Sequence, residues 1–98
     1  MVVLFISFKL KKGASIQDFL FASKRLNDEY MSKQKGYISW KQLNENDTWV
    51  DLLTFESMED AKAIEENENP CDLALKFYSY INLNSCTVNY YTIESDFS

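Results

Sequence analysis

A single aspartate, Asp51, interrupts an otherwise apolar and aromatic stretch, TWVDLLTFE from Thr48 to Glu56. Read as a strand, that stretch puts Asp51 on one face with Trp49, Leu53 and Phe55. A carboxylate carried into such surroundings loses water, its pKa rises, and it becomes a candidate general base. The competing reading is a carboxylate on a partly wet face, or one hydrogen-bonded to a neighbouring strand, because structural roles perturb carboxylates too. Tyr90 is the second candidate catalytic group. A phenol hydroxyl can orient or deprotonate a phenolic substrate, although Tyr more often caps the edge of a core with its polar end wet. Tyr90 and Tyr91 point to opposite faces of their strand, so at most one of them lines a pocket.

Trp40 and Trp49 can line a flat pocket for an aromatic ligand or simply pack across adjacent strands. Ser7 and Asn89 offer strand hydroxyl and amide groups. Arg25, the only arginine, falls on the polar side of a helix.

Other chemistries are excluded by residue type. The chain has no histidine, and its two cysteines, Cys71 and Cys86, form no CxxC pair. A zinc or haem-iron site usually draws on His or on a Cys cluster, so no metal and no cofactor is expected. With Gly13 and Gly36 as the only glycines, no P-loop, dinucleotide fingerprint or nucleophile elbow can be written.

These groups must be positioned by a small scaffold. Ninety-eight residues make one domain, over 1–95, with a short tail over 96–98. A domain of this size buries only about two thirds of its unfolded surface, so a partner chain would help it. Residues 1–43 carry eight cations against three acids, and the rest carries two against twelve. An acidic chain without a basic stripe argues against nucleic acid as a partner. The longest apolar run, Met1–Ile6, is far too short to span a bilayer. Thiols without a signal peptide point to a reducing, cytoplasmic compartment.

Val2–Leu10 reads as a strand, apolar on both faces over its first half, which is the mark of a central strand. Ser15, with Asp18 three residues on, resembles a capping box. Ile16, Phe19, Leu20, Ser23, Leu26, Asn27, Tyr30 and Met31 then recur at helical spacing, predicting a helix over about 16–34 that Gly36 ends. Tyr37–Leu43 and Thr48–Glu56 read as strands of a hairpin around the polar turn Asn44–Asp47. Ser57 caps a helix running to about 67, and Pro70 starts a second piece that stays apolar to about 82. Residues 85–94 make the last strand. The order βαββαβ is the split βαβ motif, a ferredoxin-like α+β fold whose right-handed crossovers put the helices on one face of a four-stranded antiparallel sheet. The other face keeps several large apolar side chains, each worth about 1.5–3 kcal/mol when buried. A homodimer through that uncovered face is therefore expected.

The opening strand ending Lys9-Leu10-Lys11-Lys12-Gly13, the step Gly36-Tyr37-Ile38, Trp49-Val50-Asp51 leading to Phe55-Glu56-Ser57-Met58-Glu59-Asp60-Ala61, and the Pro70 and Phe77 region together resemble the antibiotic-biosynthesis-monooxygenase-like family of dimeric α+β barrels. The resemblance spans nearly the whole chain and implies a homodimeric barrel with a pocket between sheet and helices in each subunit. Some members oxidise polycyclic phenols without metal or flavin, and others degrade haem. The haem-degrading pattern is an Asn on the first strand, a Trp in the second helical region and a His after it. Here those positions hold Ile6, a residue near Ile64, and no histidine.

The expectation is therefore a cofactor-independent monooxygenase-like enzyme for an aromatic or polycyclic substrate. Asp51 and Tyr90 are its candidate catalytic groups, and Ile6, Trp49, Phe55 and Phe77 its candidate substrate contacts. The alternative is a non-catalytic dimeric domain that holds a small apolar ligand or only associates.

Overall fold

A computed structural model describes all 98 residues. Strand β1 (Val2–Leu10) is followed by helix α1 (Ile16–Glu29), a 3₁₀ turn (Met31–Lys33), β2 (Tyr37–Glu45), β3 (Thr48–Phe55), helices α2 (Met58–Glu65) and α3 (Asp72–Tyr78), and β4 (Ile81–Thr92). The strands form one antiparallel sheet in the order β2-β3-β1-β4, so β1 and β3 are central. This is the ferredoxin-like α+β arrangement that the segment order predicts.

The starts of α1 and α2 follow from local chemistry. Ser15 Oγ accepts from the Asp18 N–H, and Ser57 Oγ accepts from the Asp60 N–H, each at 3.1 Å. Each serine thereby satisfies one of the amide donors that a helix leaves orphaned at its first turn.

Helix α1 is shorter than its sequence pattern suggests. Tyr30 leaves helical geometry at φ −133°, and the chain tightens into the 3₁₀ turn, which carries Met31 into the core. Its buried stripe is also narrower: Phe19, Ala22, Ser23 and Leu26 are covered, whereas Ile16 and Leu20 stay exposed. The hairpin turn is only Asn46-Asp47, with Asn46 at φ +56°, a value that Asn tolerates better than most residues. Pro70 precedes the cap of α3 instead of opening the helix, and Cys71 takes the cap position.

The last strand begins four residues earlier than its polar composition suggests. A register shift between Ser7 and Lys9 lets Asn82 and Ile81 pair with Lys9 and Leu10. Ser85 holds the irregularity: its hydroxyl accepts from the Lys9 N–H at 2.8 Å and donates to the Asn82 carbonyl at 2.6 Å.

The core lies between helices and sheet. Residues of β3 alternate strictly, with Trp49, Asp51, Leu53 and Phe55 buried under the helices and Val50, Leu52 and Thr54 on the opposite face. Phe19 of α1 is the centre of an aromatic cluster, with ring centroids 5.2 Å from Trp49, 5.4 Å from Phe77 and 5.9 Å from Phe8.

Candidate active site

The helices do not fill the whole sheet. Between them and the β3, β1 and β4 strands lies a cavity of about 290 Å³. Its floor is Leu4, Phe8 and Asp51, all at 2% exposure or less. Its opening lies towards the β4 edge, where the lining residues Leu83, Val88 and Tyr78 are exposed. Of sixteen lining residues, fourteen are apolar or aromatic, so the two that are not, Asp51 and Glu65, carry whatever polar chemistry the cavity has.

Asp51 reaches the floor because β3 alternates: the residue facing Ile6 across β1 and Gln42 across β2 points to the helix side. Its Oδ1 is buried without a hydrogen-bond partner. Burial pushes the carboxyl up to about 7, while the nearby Trp40 indole and Gln42 amide pull it the other way. Burial is the larger effect. The Gln42 amide also donates to Ser23 Oγ at 2.9 Å, and the Trp40 Nε1–H is buried with no other partner. At neutral pH the acid and its conjugate base are therefore both well populated. That is the condition under which one carboxyl can take a proton and return it.

The candidate residues are distributed unevenly around this centre. Ile6 and Phe77 line the cavity with Asp51, and Phe77 stacks edge-on against Trp40 at 5.5 Å. Trp49 and Phe55 share the face of Asp51 but lie outside the lining, Trp49 against Phe19 and Phe55 against Tyr37. Tyr90 pairs with Leu4 and so faces the helices, yet it sits beside α2 with the Lys62 ammonium 5.8 Å from its ring centre, also outside the lining.

Several cavity residues carry no signal in the sequence. Glu65 ends α2 and is half-buried, with its pKa raised by burial and by Glu66. Cys86 lies on β4 among them, and burial, Glu65 and Asp51 push its thiol up. The apolar stripe of α1 carried a hint of Ser23, but nothing local indicates that its hydroxyl holds Gln42.

The same architecture recurs in solved structures. SnoaB, a cofactor-independent oxygenase from Streptomyces nogalater, superimposes with a TM-score of 0.76 over 97% of this chain and 94% of its own, at 12% identity. A candidate antibiotic biosynthesis monooxygenase from Chloroflexus aurantiacus J-10-fl gives 0.67 over 99% and 96%, at 13% identity. A protein of unknown function from Nitrosomonas europaea gives 0.70 over 99% and 92%, at 15% identity. No protein-family description and no curated protein matches the sequence. The chain thus has the fold of the antibiotic-biosynthesis-monooxygenase-like proteins, at identities that carry the architecture alone.

Proposed function

We propose that this protein is a cofactor-independent monooxygenase-like enzyme that oxidises an aromatic or polycyclic substrate in the cavity between sheet and helices, with Asp51 as the base. One observation carries the reading: a buried carboxylate with an unpartnered oxygen, poised near neutrality, faces a cavity that is otherwise apolar. The structural likeness to SnoaB supports the same class of chemistry.

A substrate suited to this site has an acidic C–H activated by a ring carbonyl or phenol. Asp51 takes that proton, leaving a delocalised carbanion. The carbanion is oxidised by dioxygen, which adds at the same carbon, and Asp51 returns its proton to the peroxide. Loss of water from the hydroperoxide leaves a carbonyl, so one oxygen atom enters the product and the other leaves as water. The apolar walls exclude bulk water from the reactive carbanion. Trp40 is the one free indole donor beside Asp51 and would hold the substrate oxygen as charge develops on it.

Dimerisation belongs to the same proposal. The sheet face turned away from the helices presents Val3, Phe5, Leu43, Val50, Leu52 and Tyr91, with Phe5 and Tyr91 in edge-to-face contact at 6.2 Å. Leu43 and Tyr91 are about half exposed. A second copy packed on this face removes that apolar surface from water.

A non-catalytic ligand-binding dimer is the second reading. It is favoured by the position of Tyr90, a candidate catalytic group that lies outside the cavity lining. Dioxygen uptake with 1,8-dihydroxyanthrone, measured above its autoxidation, separates the two. The enzyme reading requires uptake that Asp51→Asn abolishes. Saturable binding without uptake supports the second reading.

A further inference from the structure

We propose that the cavity discriminates ligands by charge. Glu65 at its mouth engages a protonated amine carried by the ligand, and ligands carrying a carboxylate are rejected. This rests on reading the cavity as the ligand site and adds the class of ligand it takes.

The lining contains no Lys or Arg, and its only two charged groups are both acids. They occupy different depths. Asp51 lies on the floor, 2% exposed, with an unpartnered Oδ1. Glu65 lies among the rim groups, close enough to push both the Tyr78 hydroxyl and the Cys86 thiol up.

Glu65 is placed badly for a carboxylate that has no ligand. It is half-buried, it is the last residue of α2, where the helix dipole is negative, and Glu66 follows it. The chain's three ion pairs lie elsewhere, at Lys9–Asp47, Lys24–Asp28 and Arg25–Glu29. Lys62, three residues back on the same helix, lies over the Tyr90 ring. A ligand ammonium at the mouth relieves all three costs at once. The rim and inner walls also favour it, because Tyr78, Trp40 and Phe77 present aromatic rings, whose faces attract cations. A carboxylate in the same place would meet two acidic side chains and no cation.

The test is calorimetric binding at pH 7.5 with three naphthalene probes of matched size: 2-naphthylmethylammonium, 2-naphthylmethanol and 2-naphthoate. The expected order is ammonium tightest, by tenfold or more over the alcohol, with the carboxylate weakest. Glu65→Gln brings the ammonium-to-alcohol ratio close to one. Glu59→Gln, an exposed change of equal charge at the other end of α2, keeps the ratio. Naphthoate binding as tightly as the ammonium, or a ratio untouched by Glu65→Gln in a folded variant, overturns the charge filter alone. Failure of all three probes to bind the folded protein overturns the cavity as a ligand site, and the filter with it.

Discussion

Gln42 stands directly opposite Asp51 in the β2–β3 register, and its amide donates to Ser23 Oγ on α1, 2.9 Å away. Ser23 is locked in turn, donating to the Phe19 carbonyl at 2.8 Å. The Ser23 bond holds the Gln42 amide beside Asp51, where it lowers the carboxyl pKa against the larger effect of burial. Gln42→Leu removes that donor. The Asp51 pKa and the acidic limb of the pH–rate profile should move up, while Ser23→Thr, which keeps a hydroxyl, leaves the limb in place.

The raised pKa of Asp51 makes stability depend on pH in a definite direction. In the unfolded chain the carboxyl ionises near its ordinary value of about 3.9. In the folded protein it does so only at about 7. Between those values the native state binds the extra proton, so stability falls as pH rises through this window and the full cost is present above it. At about 1.4 kcal/mol per pH unit the cost is on the order of 4 kcal/mol. Asp51→Asn should therefore raise the urea midpoint clearly at pH 8 and hardly at all at pH 4. Equal effects at both values would mean that the carboxyl titrates normally.

The two glycines differ in what surrounds them. Both adopt positive φ, +82° at Gly13 and +78° at Gly36. A side chain at Gly13 meets open space, whereas one at Gly36 runs into the Asp60 carboxylate on α2. Gly13→Ala should cost about 1 kcal/mol, the backbone penalty alone. Gly36→Ala should cost at least twice that in urea unfolding, and Asp60→Ala in the same chain should recover part of the difference.

Phe5 and Leu52 are cross-strand partners near the middle of the uncovered face. Leu52→Asp places a charge in the proposed dimer interface without touching the helix-side core. Sedimentation should show the wild type as a dimer at micromolar concentration and the variant as a monomer with unchanged circular dichroism. A wild-type monomer would mean that this face is not a dimer interface.

Much of this organisation is legible in the sequence, for physical reasons that differ by residue. The alternation of Trp49, Asp51, Leu53 and Phe55 fixes a face, and one acid within it stands out because a strand's period leaves it no other side. The two serine caps announce their helices through side chains that bond their own backbone. Less visible is anything decided by contacts distant in sequence. Ile81 and Asn82 read as the end of the last helical piece because their stability as a strand comes from pairing with Leu10 and Lys9, more than seventy residues away. Glu65 looks like one more solvated helix acid until the cavity closes beside it. Trp49 and Phe55 look equivalent to Asp51 by parity, but Phe19 of α1 packs onto Trp49 and Tyr37 of β2 onto Phe55, and the open space lies elsewhere.

If Asp51 is a poised base facing a ligand cavity, carbon-detected NMR titration of its carboxyl, alone and saturated with 2-naphthol, will show it. The expected midpoint lies near 7 in the free protein and is displaced when the ligand is bound. A midpoint near 4 that does not respond to the ligand would mean that Asp51 is neither poised nor at the ligand site.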